Sequence, residues 1–355
     1  KGVMRSEELI PKYSIAIRTL GTAGEKFRQE LESIARQTIQ PERVIVYVAE
    51  TCGVKFVDGT IGREEYRYVK KGMVAQRALP YDELTSPYLL LLDDDVELAP
   101  DTAERLLKSL VAHDVDAMGA DCFKDQDMSF GLKTFAILTN WVAPHYDVQW
   151  AYKVTRTGAF SYLSKRKIAE IRDAKKCDSG LCLPTQKLDG PCVMWQRSSL
   201  LSLHWEDELW MDRLSEFAYG DDLVESYKCF VNGGKLMLNY DAGVNYLNAK
   251  TASSVYHHTH KKYYIRSLMS AIIWYRIKLG VRSVELGINS SSPATLVIAF
   301  AIKCVWLFLV NIIAGVLLLD LKIPVYYLQG LLTAWRFVHS DEYRAIEGYK
   351  LGIRG

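Results

Sequence analysis

Three consecutive aspartates, Asp93-Asp94-Asp95, follow the apolar run Tyr88–Leu92 and precede VELAPD. Carboxylates massed at the end of a buried segment repel one another. A divalent cation with oxygen ligands is their natural partner, and its remaining positions suit phosphate oxygens. The same residues read also as an exposed acidic turn leading into the helix that Asp101 opens. They do not make the phosphatase pattern DxDx[TV], because Glu97 stands at the Thr/Val place. A second acidic pair, Asp221-Asp222, lies in FAYGDDLVESYKCFVNGGKL. Leu223, Tyr227 and Phe230 give this segment a helical face, so the pair falls at a helix N-terminus. There it caps the helix or places a carboxylate to take a proton from a hydroxyl. Together the two sites make a metal-plus-base arrangement. It suits displacement at a carbon that bears a diphosphate leaving group.

The elements that would position these groups alternate. Tyr13–Arg18 (YSIAIR) reads as a strand running into Thr19-Leu20-Gly21. Glu25–Gln37 carries Phe27, Leu31, Ile34 and Ala35 at helical spacing, and Pro41 follows. Val44–Val48 and Tyr66–Val69 read as strands, Met73–Leu79 as helical, Tyr88–Leu92 as a buried strand and Thr102–Ala112 as a helix. Strands that are apolar throughout, alternating with helices, predict an α/β domain with a mostly parallel sheet flanked by helices. Ligands in such sheets bind beyond the C-terminal strand ends, where Thr19, Glu50 and Asp93–Asp95 fall.

The 44 basic and 42 acidic residues leave a net charge of +2, so no whole-chain basic field exists and nucleic acid is not an expected partner. Seven cysteines without a CxxC pair point to reduced thiols rather than a disulfide framework or a zinc ribbon. No charged-then-apolar leader stands at the first residues, so a cleaved signal peptide is not expected; the native start is expected before Lys1 or at Met4.

One local extreme dominates the C-terminal part. Ala294–Leu319 is 26 residues long with one charge, Lys303, and one amide, Asn311. As a helix it extends about 39 Å, more than the roughly 30 Å hydrocarbon core of a bilayer. It is apolar on all faces, which favours membrane insertion over a buried core helix. Lys303 is expected to snorkel or to pair with protein or headgroups. The basic residues Lys261, Lys262, Arg266, Arg276, Lys278 and Arg282 precede the run and place that side in the cytosol. Tyr263–Leu279 reads as an interfacial helix or as an ordinary packing helix. The tail, with the apolar and aromatic Pro324–Val338, lies on the membrane or returns through it. The expected division is 1–255 catalytic, 256–292 basic and juxtamembrane, 293–320 transmembrane, and 321–355 membrane-associated.

SIAIRTL, ESIARQTIQPERVIVYVAE, VAQRAL, YLLLLDDDVELAPD, DGPCVMWQRSSL and YGDDLVESYKCFVNGGK stand in this order. The set resembles family-2 glycosyltransferases of GT-A (Rossmann-like) fold, over roughly Tyr13 to Lys250. The resemblance implies transfer of a sugar from a nucleotide-diphosphate donor with Mn2+ or Mg2+. It implies that Thr19 and Glu50 hold the nucleotide base, with Glu50 where the family usually has Asp. Arg77 falls near the donor diphosphate or sugar, and reads also as a surface charge on a helix. Asp93–Asp95 match the DxD motif, with Asp93 toward the ribose and Asp95 toward the metal. Asp222 takes the place of the catalytic base of inverting members, beside Asp221 where the family has Glu. Asp189-Gly190 match the acceptor-side loop, where backbone approaches the sugar.

Two further features stay open at this level. His257, His258 and His260 in YHHTH either complete a metal site or form a polar link to the membrane segment. The aromatics between Met128 and Tyr162, among them Trp141, His145, Tyr146, Trp150, Tyr152 and Phe160, form an acceptor wall or pack a core. Ser164–Lys187 has no counterpart in the family pattern and is expected to be a mobile, acceptor-specific insertion. The leading expectation is an inverting, metal-dependent transferase using a nucleotide-diphosphate sugar, a UDP-sugar first, that acts on a glycan or lipid-linked acceptor in cell-surface polysaccharide synthesis at the cytoplasmic membrane. A polyprenyl-phosphate sugar transferase and a non-catalytic sugar-nucleotide or glycan-binding module are the alternatives. The lack of QxxRW and of several spans sets a processive synthase aside, and no complete hydrolase motif supports a phosphohydrolase.

Overall fold

The structure is a computed structural model and describes residues 11–122, 149–163, 165–174, 180–215, 219–247, 261–280 and 291–351. His257, His258, His260, Trp141, His145 and Tyr146 lie outside the described residues. The strands are β1 (Tyr13–Thr19), β2 (Val44–Ala49), β3 (Glu64–Val69), β4 (Tyr88–Asp93), β5 (Val96–Leu98), β6 (Ala117–Ala120), β7 (Tyr152–Val154), β8 (Phe160–Tyr162), β9 (Cys182–Pro184), β10 (Cys192–Gln196), β11 (Leu236–Asn239) and β12 (Val244–Tyr246). Eight of them form one sheet in the order β3-β2-β1-β4-β10-β6-β11-β9. All but β9 and β10 run the same way. This is the expected α/β architecture.

Side chains alternate across the sheet, as the two-residue period of a strand requires. Ile15 and Ile17 of β1, Val46 of β2 and Leu90 and Leu92 of β4 face one layer. Phe27, Leu31 and Ile34 of α1 (Glu25–Ala35) and Leu106, Leu107 and Leu110 of α2 (Thr102–His113) pack there. Ala16, Ile45, Leu89, Leu91, Val193 and Trp195 face the other layer, against Tyr81, Leu84, Leu200 and Leu203. Burial on both faces explains why these strands read as continuous apolar runs.

Two expectations are corrected. Met73–Leu79 forms hydrogen-bonded turns rather than a helix. The Asp212 carboxylate accepts from the Val74 and Ala75 N–H groups at 3.0 and 2.8 Å, and Pro80 follows within a turn and a half, so no helix has room to propagate. The stretch Ser164–Lys187 contains ordered elements: α3 (Lys165–Ala174) and β9, which pairs with β11 at the edge of the main sheet. The alternation of buried Leu181 and Leu183 fits them to the sheet's apolar layer.

A second apolar cluster joins the sheet domain to the C-terminal helices. It unites α5 (Trp210–Leu214, after α4 at Arg197–Leu201), α6 (Asp221–Val231) and α7 (Lys261–Trp274) with α8 (Pro293–Leu317), α9 (Lys322–Val338) and α10 (Asp341–Arg344). Trp210, Val224, Tyr227, Leu268, Ile272 and Phe337 are among its members. α7 is therefore a packing helix, and it continues through a π turn, Tyr275–Leu279. α9 lies close along α7 because Gly330 faces Ser267 and the Tyr264 carbonyl, where a Cβ would collide. α8 is long and apolar enough to cross a membrane, with a mean hydropathy of 2.5 over its best window. Its Lys303 does not reach for headgroups: the ammonium donates to the Thr157 carbonyl at 3.0 Å.

Candidate functional site

The site lies at the C-terminal edge of the parallel strands. Register builds its first half: β1 and β4 pair so that Arg18 stands opposite Asp93. Arg18 donates to the Asp93 carboxylate at 2.6 Å and to the Gly190 carbonyl at 3.2 Å. β10 runs antiparallel to β4, so its first residues meet the end of β4, and the Asp93 N–H donates to the Pro191 carbonyl at 3.2 Å. This brings the loop Lys187–Pro191 to Asp93 from nearly a hundred residues away in sequence.

Asp94 accepts a short hydrogen bond from the Thr19 hydroxyl, whose oxygen in turn accepts from the Gly21 N–H. Asp95 is 2% exposed. β12 pairs with β5 and carries Tyr246 to the Asp95 side chain. Burial pushes the Asp94 carboxyl up to about 7, with Asp95 and Asp93 adding repulsion and the Thr19 bond opposing it. Directly behind, on α1, Glu30 is fully buried and neither carboxylate oxygen has a hydrogen-bond partner of good geometry. Burial and the three aspartates raise its protonation well above the usual carboxylate range.

The second acidic pair comes from the start of α6. Gly220 precedes it in the left-handed region at φ +85°, and a Cβ there would meet Ile273 at 2.7 Å, so glycine is required on both counts. Asp221 is buried, and its Oδ2 lies 3.0 Å from Arg77 Nη1. Neither atom has an aligned hydrogen bond, so the contact is a Coulombic one. Arg77 also stands 3.8 Å from Asp93 and 3.8 Å from Glu225. Burial disfavours its charge, but Asp221, Asp93, Glu225 and Asp222 more than offset this and hold it protonated. Burial raises the Asp221 carboxyl against the pull of Arg77.

Asp222 is the more open of the pair, its side chain about a quarter exposed. Its Oδ2 lies 3.1 Å from the Lys187 ammonium, which also bonds Asp189. Burial opposes the charge of Lys187, and Asp222 and Asp189 overcome it and raise its protonation. The Tyr152 hydroxyl donates to the other Asp189 oxygen at 3.3 Å, and the Lys187 ammonium sits 4.7 Å from the Phe160 ring centre. The β7–β8 hairpin thus walls the Asp222 side of the site.

The structure gathers Thr19, Arg77, Asp93, Asp94, Asp95, Asp189, Gly190, Asp221 and Asp222 along this edge. Glu50 follows β2, exposed to solvent, and among the described residues only its backbone N–H is engaged, by the Val69 carbonyl at 2.8 Å. Arg77 is buried in a turn and is not a surface charge. Gly190 is held by protein rather than left open: a Cβ there would meet Arg77 Nη2 at 2.8 Å. Arg18, Gln76, Lys187, Glu225 and Tyr246 were not found from sequence. Gln76 donates to the Thr19 and Tyr47 carbonyls, both at 3.0 Å, and ties the turn to the strand ends. The signal for Arg18 was a cation inside an otherwise apolar strand.

Among the described residues no three His, Cys, Asp or Glu side chains converge as a complete metal site. The donor set nevertheless fits a hard divalent cation. Asp93 and Asp95 would supply carboxylate oxygens in an acidic cluster that Arg18 and Arg77 border. A cation there would draw the rest of its coordination from a bound ligand or water. A cavity of about 300 Å3 beside Leu31, Ile34, Val44 and Glu64 lies at the opposite, N-terminal ends of β2 and β3 and is separate from this chemistry.

No protein-family model matches the chain, and no curated protein does. Among solved structures the chain is similar to the crystal structure of GalNAc-T7 with UDP, GalNAc and Mn2+, at 10% identity and a TM-score of 0.46. The match covers 79% of this chain and 53% of that one, so the chain spans about half the length of the structure it matches. A likeness this distant bears on no residue of the site.

Proposed function

We propose that the protein is a metal-dependent glycosyltransferase of GT-A type that moves a sugar from a nucleotide-diphosphate donor, a UDP-sugar in the first instance, to an acceptor hydroxyl with inversion. One observation carries this reading: a single buried guanidinium, Arg77, lies 3.0 Å from Asp221 and 3.8 Å from Asp93, joining the two acidic centres. Asp93 and Asp95 would hold Mn2+ or Mg2+, which supplies Lewis-acid stabilisation of charge on a departing diphosphate. Thr19, fixed by Asp94, and Glu50 border the nucleotide end. Asp222 takes the proton of the acceptor hydroxyl as its oxygen forms the new bond to the anomeric carbon. The bond from that carbon to the diphosphate oxygen breaks, and the electron pair leaves with the nucleoside diphosphate. Lys187 and Asp189 hold the Asp222 carboxylate in place, and Arg77 offsets negative charge between the centres.

The acceptor is a glycan or a lipid-linked glycan. The catalytic part spans about residues 1–255, and the C-terminal helices bind the cytoplasmic membrane with the site facing the cytosol, as the basic residues of α7 favour. The test is a thermal-shift series with nucleotides and nucleotide sugars, with and without Mn2+, on wild type and Asp95→Ala. A Mn2+-dependent rise with a nucleoside diphosphate, absent in the variant, is expected. A folded protein that responds to no nucleotide would overturn the reading and favour a glycan-binding module.

A further inference from the structure

α8 and α9 are joined by the tight link Leu318–Leu321, and both return to the sheet domain. At its N-terminal half α8 is anchored: Phe300 stacks on Trp274 with ring centres 3.9 Å apart, and Lys303 donates to the Thr157 carbonyl. α9 runs beside α7, and its last turn packs Phe337 against Trp210. The chain beyond it closes on the same domain. The Arg276 guanidinium binds Glu208 and donates to the Tyr349 and Gly348 carbonyls at 3.0 and 3.2 Å. The residues before α8 and after α9 are therefore on one side of any membrane.

The exposed residues of the two helices form one apolar plate. On α8 they include Ile302, Val305, Leu309 and Ile313, an i, i+3, i+7, i+11 stripe. On α9 Val325, Leu328, Leu332 and Trp335 form an i, i+3, i+7, i+10 stripe. The α9 stripe is bracketed by the exposed cations Lys322 and Arg336, with Trp335 beside the second. Lys322 and Arg336 are 14 residues apart, about 21 Å along a helix axis, which is less than the roughly 30 Å hydrocarbon core, so a helix along the membrane normal would leave one of these charges in hydrocarbon. A helix in the plane of the interface lets both reach phosphate, with Trp335 at the same level. Lys303 gives the same answer, since a protein carbonyl engages it midway along α8.

We infer that α8 and α9 lie flat in one leaflet of an anionic phospholipid bilayer, as a monotopic plate that does not cross it. The inference does not depend on the transferase reading. Its chemistry is apolar insertion to the headgroup–acyl boundary with Lys322 and Arg336 at phosphate level. It also places the Thr155–Gly158 turn, held by Lys303 and by the Trp274 indole N–H on the Arg156 carbonyl at 2.9 Å, near the headgroups.

The test is depth-dependent fluorescence quenching on the full chain bound to phosphatidylcholine/phosphatidylglycerol vesicles carrying quenchers at defined acyl positions. Single labels go on Ile302→Cys, Ile313→Cys and Leu328→Cys, in a background where Cys52, Cys177 and Cys304 are serine. Lys108→Cys on α2 serves as the soluble control. Ile302 and Ile313 are 11 residues apart, about 16 Å along a helix axis. A plate in the interface gives all three labels the same shallow depth and leaves the Lys108→Cys label unquenched. A depth difference near 16 Å between the two α8 labels would mean a crossing helix and overturn the inference. Absence of quenching at all three would overturn it as well, because the plate would not touch lipid. All three positions are exposed, so the labelled chains keep the packing of the parent.

Discussion

Two buried charge clusters among the described residues are built on opposite principles. At the base of the C-terminal helices, Lys228 and Arg276 face Asp207 and Glu208. That cluster is closed. Arg276 is fully buried and forks onto Glu208 at 2.6 and 2.5 Å, its other donors go to backbone carbonyls, and Glu208 also accepts from the Trp210 indole at 2.8 Å. At the sheet edge, Arg18 Nε, Arg77 Nε and Nη1, Asp221 Oδ2 and both oxygens of Glu30 are buried without an aligned hydrogen bond, and Arg77 Nη1 and Asp221 Oδ2 meet only as an ion pair at 3.0 Å. Unsatisfied buried polar atoms cost about 1–3 kcal/mol each, so such atoms are places where a water, an ion or a ligand can bind. Burial of charge does not by itself mark function. Open hydrogen-bonding capacity at the strand ends is what a ligand could use there.

The comparison breaks first, and by the largest factor, at Asp222. Asp222→Asn keeps the size of the side chain and its bond from the Leu223 N–H but removes the base. Transfer is expected to fall by about 10²–10⁴-fold with donor affinity retained, measured as kcat against KM. If kcat is unchanged, Asp222 belongs with the closed cluster and not with the open one. Asp95→Ala comes next. Loss of a metal carboxylate removes several kcal/mol of transition-state stabilisation, so roughly 10³-fold in metal-dependent transfer. The melting temperature of the metal-free protein should change little, because relief of repulsion within Asp93–Asp95 offsets the lost bond to Tyr246. Chelation of the metal in wild type should reproduce the activity loss.

The two clusters also differ in how legible they were in the sequence. Asp93–Asp95 and Asp221-Asp222 are short runs next to apolar segments, and the strand and helix periods on either side show where each must end. The β1 and β4 runs were readable for the same reason. The partners that give the site its shape were not. Arg18 meets Asp93 through strand register, and Lys187 meets Asp222 because the loop before β10 packs on the first turns of α6, where the Leu188 N–H donates to Ser226. Glu208 and Arg276 are 68 residues apart and carry no motif at all. Met73–Leu79 misled because a helical spacing was real but too short to propagate, with Asp212 and Pro80 closing both ends. Apolarity of α8 was plain in the sequence, whereas the hold of Thr157 on Lys303 is a tertiary fact.

The closed cluster is tested on the other axis. Arg276→Met leaves Glu208 buried with only Lys228, 3.4 Å away, and the Trp210 indole as partners. A buried pair broken from one side costs about 3–5 kcal/mol, so urea midpoints should fall sharply. Metal-dependent nucleotide binding by the fraction that stays folded should not change. The converse variant at the open cluster, Arg77→Met, should weaken both properties together, since it strands Asp221 and also disconnects the two acidic centres.

The smallest effect is expected at Lys278, two residues beyond Arg276 on the same π turn. Its ammonium donates to the Tyr227 hydroxyl at 3.0 Å, no carboxylate pairs with it among the described residues, and burial lowers its pKa to about 8. A folded-state value below the unfolded one means that the unfolded chain binds more protons between the two. This group's contribution to stability is therefore present above about pH 10.5, the unfolded value, and is lost as pH falls toward 8. At pH 7 the lysine is a net cost to the fold. Lys278→Met removes that cost while keeping the length of the side chain, and should stabilise the protein at pH 7 by about 1–2 kcal/mol. The gain should shrink as pH rises from 8 to 10.5, read from urea midpoints at each pH. A gain that stays constant across that window would mean Lys278 does not change protonation on folding. The substitution would then act through packing alone, as it would at any apolar position of the helix base.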